Sequence, residues 1–272
     1  MSLLYGDEFN GKTDLTGEDS TFSSLFYKCT KLINAIKLIL PTKTLIIKCY
    51  SGMFRGCTSL TIAPELPATT LASACYSGMF KGCTSLTKAP ELPATTLAIG
   101  CYSNMFQGCT SLTTAPELPA TTLVGNCYDS MFADCTSLTI APVLSSTNLN
   151  IYCYLAMFSG CTRLTTAPEL PATTLADSCY AYMFENCTSL TTAPELPAMT
   201  LESTCYECMF YDCTNLSNIT MLATDISAPS CLSYWVDGVS STGTFYKHPD
   251  MTTLPTGIHG IPEGWEVRDY QG

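Results

Sequence analysis

At 272 residues, with 13% charged side chains, 12 basic against 23 acidic residues and a net charge of −11, the chain has no basic stripe of the kind that binding to nucleic-acid phosphates needs. Nucleic acid is therefore excluded as an expected partner, and an anionic membrane surface is disfavoured for the same reason. No apolar run reaches the length of a membrane-spanning helix; the longest, LINAIKLIL, is interrupted by Asn34 and Lys37 and ends at Pro41.

Residues 1–20 read as a lead-in, and the opening MSLLYGDEFNGK shows neither the basic n-region nor the apolar h-region of a signal peptide. Residues 21–48 read as a degenerate first coil capping a repeat array: Phe26, Cys29 and Leu32 fit the pattern that follows, in a copy whose loop is two residues longer. From Cys49 the pattern is unbroken. Cysteine recurs every 26 residues at Cys49, Cys75, Cys101, Cys127, Cys153, Cys179, Cys205 and Cys231, and again at Cys57, Cys83, Cys109, Cys135, Cys161, Cys187 and Cys213. Such a period points to a leucine-rich-repeat solenoid of about eight coils spanning 21–231, an α/β architecture.

Within one repeat, Leu71, Cys75, Tyr76, Met79, Phe80 and Cys83 form the stripe of a short helix with one buried face. Thr69 and Thr70 stand where hydroxyls would cap its start. The column Gly56, Gly82, Gly108, Asp134, Gly160, Asn186 and Asp212 holds residues that tolerate the left-handed conformation and reads as the helix stop. Next comes CTSLTxAPELP, in which Leu60, Ala63 and Leu66 point inward. The proline column from Pro64 to Pro194 confines the strand to about three residues around Leu60 to Ala63. Short parallel strands are thus expected on one face and short helices on the other. Residues 232–272, which hold Trp235 and Trp265 and many turn residues, read as a C-terminal capping segment with short strands.

The seventeen cysteines admit three readings. A disulfide framework is one, but two cysteines eight residues apart on a helix would lie about 12 Å from each other, too far to bridge. A metal or redox site is another, resting on the C-x-x-C of Cys205 and Cys208; Cys205, however, is the repeat column, and Cys208 fills a variable slot. The third is a ladder of buried free thiols serving as small apolar fillers. No nucleotide loop, G-x-S-x-G elbow or H-E-x-x-H motif occurs, so no catalytic residue and no cofactor is expected. The carboxylate column Glu65, Glu91, Glu117, Glu169 and Glu195, broken by Val143, reads as a solvated surface whose mutual repulsion a divalent cation would relieve. The candidate interaction surface is the outward strand column Ile62, Lys88, Thr114, Ile140, Thr166 and Thr192, flanked by threonines. Threonine also simply suits strands.

The motif CY-x-x-MF-x-G-CTSL-T-x-APELP resembles that of the BspA-like leucine-rich-repeat surface proteins of gut and oral anaerobic bacteria. The likeness runs from about Phe22 to Cys231, and the stretch from Trp235 to Val267, with GVSSTGTF and GIPEGW, is similar to the tail that follows such arrays. The resemblance implies a solenoid exported to the cell surface or beyond, a role in adhesion or host-protein binding, and no shared active site. APELP stands where many relatives have a longer aliphatic strand. The expectation is a non-enzymatic cell-surface or secreted protein binding a protein or glycan along the strand face. Its rivals are a structural spacer in a longer surface protein and, from a different class, a thiol-based metal or redox protein.

Overall fold

The structure is a computed structural model that describes residues 19–40 and 43–272. Its unit is a coil of 26 residues, and each coil is tied to the next by backbone hydrogen bonds. In the segment 46–57 the N–H groups alternate. Cys49, Ser51, Met53, Arg55 and Cys57 donate back to the carbonyls of Ile46, Lys48, Tyr50, Gly52 and Phe54 at 3.0–3.3 Å. Tyr50, Gly52, Phe54 and Gly56 donate forward to Cys75, Ser77, Met79 and Lys81 of the next coil at 2.8–2.9 Å. Every N–H from Cys49 to Cys57 therefore has a partner, half within the coil and half across it, as buried backbone requires.

The expected helices are consequently absent among the described residues. Their place is taken by overlapping β-turns that start every two residues. Every fourth residue has positive φ: Gly52 and Gly56 in one coil, Ala74, Gly78 and Gly82 in the next, then Gly100, Asn104 and Gly108. A positive φ at the third residue is what a type II turn demands. The physical reason for the substitution is the hydrogen-bond supply. An α-helix would use its N–H groups internally, whereas this arrangement frees every second one to bind the neighbouring coil. Thr70, expected as a cap, instead forms parallel bridges to Thr44 and Thr96.

The strand column is present as isolated parallel bridges, Asn34 to Ile62, Thr114 to Ile140 and Thr192 to Asn218. Proline limits it, since Pro64 and its equivalents have no N–H to give. Where proline is lost, the ladder lengthens. Thr220 occupies the position of Pro194, and strand β1, Asn218–Met221, forms there. It pairs in parallel with β2, Thr244–Lys247, which pairs with β3, Glu266–Asp269. Asn218 opposes Thr244, so the 26-residue step continues beyond Cys231.

The core is built from columns of identical side chains. Cys75, Tyr76, Met79, Phe80, Cys83 and Leu86 are all buried, as are their equivalents in neighbouring coils. Two aromatic stacks run through the array. One passes from Phe22 through Tyr50, Tyr76, Tyr102, Tyr128, Tyr154, Tyr180 and Tyr206 to Trp235, with ring centroids 5.6–6.4 Å apart. The other passes from Phe26 through Phe54 and Phe132 to Phe210, at 5.3–5.8 Å. Trp235 closes the end of both, with Phe245 edge-on at 6.2 Å and the indole N–H donated to the Gly260 carbonyl at 2.8 Å.

Candidate functional site

The six strand-column residues Ile62, Lys88, Thr114, Ile140, Thr166 and Thr192 are all exposed. Ile62 and Ile140 hold 43% and 59% of their surface in solvent, which leaves two branched aliphatic side chains without cover. They sit where they do because the bridges fix alternate side chains outward while Leu60 and its equivalents turn into the core. Ile62 and Lys88 line one cleft of about 510 Å³ together with Ile36, Pro64 and Pro90. Lys88 and Thr114 line a second of about 530 Å³ with Pro90 and Pro116. The two clefts are one coil apart and share Lys88 and the segment that follows it. Ile140, Thr166 and Thr192 line neither of these two clefts.

All seventeen cysteines are free thiols, and fifteen of them are buried. The second series has a defined partner: Cys83, Cys109, Cys135, Cys161, Cys187 and Cys213 each donate S–H to the phenylalanine carbonyl of the preceding coil at 3.0–3.2 Å. Burial raises their pKa values. Cys83, Cys135 and Cys213 are pushed up to about 12, so thiolate does not form near neutrality. Of the C-x-x-C pair, Cys205 is buried and pushed up to about 12, and the partly covered Cys208 is also raised by burial. Among the described residues no three His, Cys, Asp or Glu side chains converge as a metal would require. Among the described residues the exposed glutamate column makes one side-chain bond, from the Tyr270 hydroxyl to Glu195 at 2.7 Å.

Sequence reasoning missed a second surface, on the turn segment. Arg55, Lys81, Ser51, Ser77 and Asn104 line a polar cleft of about 440 Å³ there. The signal was available in the contrast between columns. Arg55, Lys81, Gln107, Ala133, Ser159, Glu185, Tyr211 and Asp237 share one repeat position and differ in almost every copy, between neighbours that barely change.

The profile described as BspA type leucine rich repeat region matches residues 19–165 and 126–231, in six copies. The chain belongs to the BspA-type leucine-rich-repeat family. Its coils, with leucine at fixed inward positions and strand bridges in parallel, are the leucine-rich-repeat fold in this family's form. A solved structure, a leucine-rich repeat protein from Bacteroides ovatus ATCC 8483, is similar at 15% identity, covering 91% of this chain and 76% of that one, with a TM-score of 0.39. No curated protein matches the chain. Among the described residues no helix is long and apolar enough to cross a membrane.

Proposed function

We propose that this BspA-type repeat protein is a non-enzymatic, cell-surface or secreted binding protein that holds an extended protein or glycan along its strand column. The observation that carries the reading is the repetition of one cleft at a one-coil interval, with Lys88 shared between the two. A partner with its own repeat, such as an extended strand or a polysaccharide, would meet successive subsites in register. Exposed apolar side chains at Ile36, Ile62 and Ile140 supply area to bury, in columns that solubility alone would fill with polar residues. Catalysis has little support, because the recurring nucleophile, cysteine, is buried and held protonated.

The test uses arrays of extracellular-matrix proteins and of glycans, probed with the parent chain, with Ile62→Asp and Ile140→Asp, and with Ser159→Asp on the turn segment. Binding lost only in the first two variants supports the reading. Loss in all three, or in Ser159→Asp alone, overturns it. A structural spacer is the second reading, favoured by the two uninterrupted aromatic stacks that would make the array stiff. It predicts no ligand on either array and no effect of any of the three variants.

A further inference from the structure

The turn segment is where successive coils differ most, and the difference is ordered along the array. Its positions carry Lys28, Arg55 and Lys81 toward one end, Gln107, the buried Ala133 and Ser159 beside Asp129 and Asp134 in the middle, and Glu185, Glu207, Asp212 and Asp237 toward the other. A chain with net charge −11 has thus gathered cations on one stretch of one face.

The cleft of about 440 Å³ at that stretch shares no residue with the strand-column clefts. Gly52 and Gly78, both with positive φ, line it without side chains, while later coils carry Tyr182, Cys208 and Tyr234 at the same position. Arg55 and Lys81 face the cleft from adjacent coils. Among the described residues neither forms an ion pair. Their proximity shows in Lys81, whose ammonium is disfavoured first by burial and then by Arg55, with Asp129 and Asp134 opposing the effect. Asp129 is itself engaged by the Ser103 and Ser130 hydroxyls at 3.2 and 2.7 Å. Two cations lining one cleft, with Asp129 and Asp134 acting on Lys81 only from beyond ion-pairing distance, form a site for an anion.

The rest of the lining defines what carries the anion. The Ser77 hydroxyl has no hydrogen-bond partner among the described residues, and Asn104 spends its amide N–H on Ser103 at 2.6 Å, which leaves its carbonyl oxygen to accept. Outside the cleft, one coil beyond Lys81 in the column of Arg55 and Lys81, Gln107 keeps a buried oxygen without a donor. The single apolar surface in the lining is the exposed Tyr27 ring, with the Lys28 ammonium 5.2 Å from its centroid. No aliphatic side chain is present to seat a peptide. Hydroxyl and amide groups beside one ring and two cations match a sugar bearing an acidic group.

We propose that this cleft binds an acidic saccharide, with Arg55 and Lys81 holding its carboxylate or sulfate, Ser77 and Asn104 meeting adjacent hydroxyls, and Tyr27 lying against the ring. The site is independent of the strand column.

Titration calorimetry on the full chain tests it, with chondroitin sulfate tetrasaccharide, tetragalacturonate, neutral maltotetraose and inorganic sulfate as probes. At least one acidic tetrasaccharide should bind, and whether the sulfated or the purely carboxylated one binds better identifies the acidic group. The Arg55→Gln, Lys81→Gln double variant should weaken that binding at least tenfold with its thermal midpoint unchanged. Lys88→Gln, in the strand column, should leave it within twofold. The proposal fails if neither acidic probe binds, or if maltotetraose or inorganic sulfate binds as tightly as the better acidic probe. It also fails if the double variant retains parental affinity, or if Lys88→Gln alone abolishes binding.

Discussion

Raising the pH toward 10 in the presence of reductant perturbs one kind of group above all, the buried thiol. Cys83, Cys101, Cys135, Cys153, Cys205 and Cys213 are each pushed from 9.0 to about 12 by burial. In the unfolded chain these thiols ionise near their ordinary value, while in the folded chain they keep their protons. A folded-state pKa that is raised contributes stability below the unfolded pKa and loses it as pH climbs toward the folded one. At pH 10 each such thiol favours the unfolded state by about 1.4 kcal/mol relative to pH 7. Six of them amount to several kcal/mol, a large share of an ordinary folding free energy of about 5–15 kcal/mol. Urea unfolding followed by tyrosine fluorescence at pH 7, 8.5, 9.5 and 10 reads this directly, and Cys83→Ala should flatten the slope by about one proton's worth. A midpoint unchanged from pH 8.5 to 10 would refute the description of the cysteine columns as buried thiols.

Three further outcomes follow from the packing. Phe132→Ala removes a fully buried ring stacked 5.7 Å from Phe106 and 5.8 Å from Phe158, and should cost about 4 kcal/mol in chemical denaturation. Gly160→Ala should cost more than Gly100→Ala. Both must hold positive φ, but only the first drives a Cβ to 2.7 Å from an Asp134 carboxylate oxygen, while the second meets open space. A thiol reagent added to the folded protein at pH 7 should modify the exposed Cys29 at once and the fifteen buried cysteines only after denaturant is added.

The core could be read from the chain because its columns are written in identical residues. Cys75, Tyr76, Met79, Phe80 and Cys83 recur so regularly that burial in one coil implies burial in all. The strand column followed from alternation and from proline, and the loss of proline at Thr220 shows the same rule from the other side. The turn segment was misread for a definite reason. Buried pairs at i, i+1, i+4 and i+5 suit a repeat of four as well as one of 3.6, and over nine residues the two do not separate. The deciding evidence lay in the polar positions: Gly52 with Gly56, Gly78 with Gly82, and Asn104 with Gly108 mark left-handed residues four apart, whereas only the last of each pair suits a helix stop. Ala74, Tyr152, Tyr182 and Thr204 hide the same conformation behind residues that resist it, and it persists there because their N–H groups bond the next coil. The cationic cleft carries no motif; its signal is the variable column in which Arg55 and Lys81 stand 26 residues apart and become neighbours through the coil-to-coil stacking.

The central claim is that residues 46–57 and their equivalents are stacked turns with a left-handed residue every fourth place, and Ala156→Gly tests it most directly. Ala156 has φ +49° and donates its N–H to the Ala181 carbonyl in the next coil at 2.8 Å. Relieving a left-handed alanine should raise the unfolding free energy by about 1 kcal/mol in urea titration. In a helix the same change would lower it by about 1 kcal/mol, and a loss of that size would contradict the account.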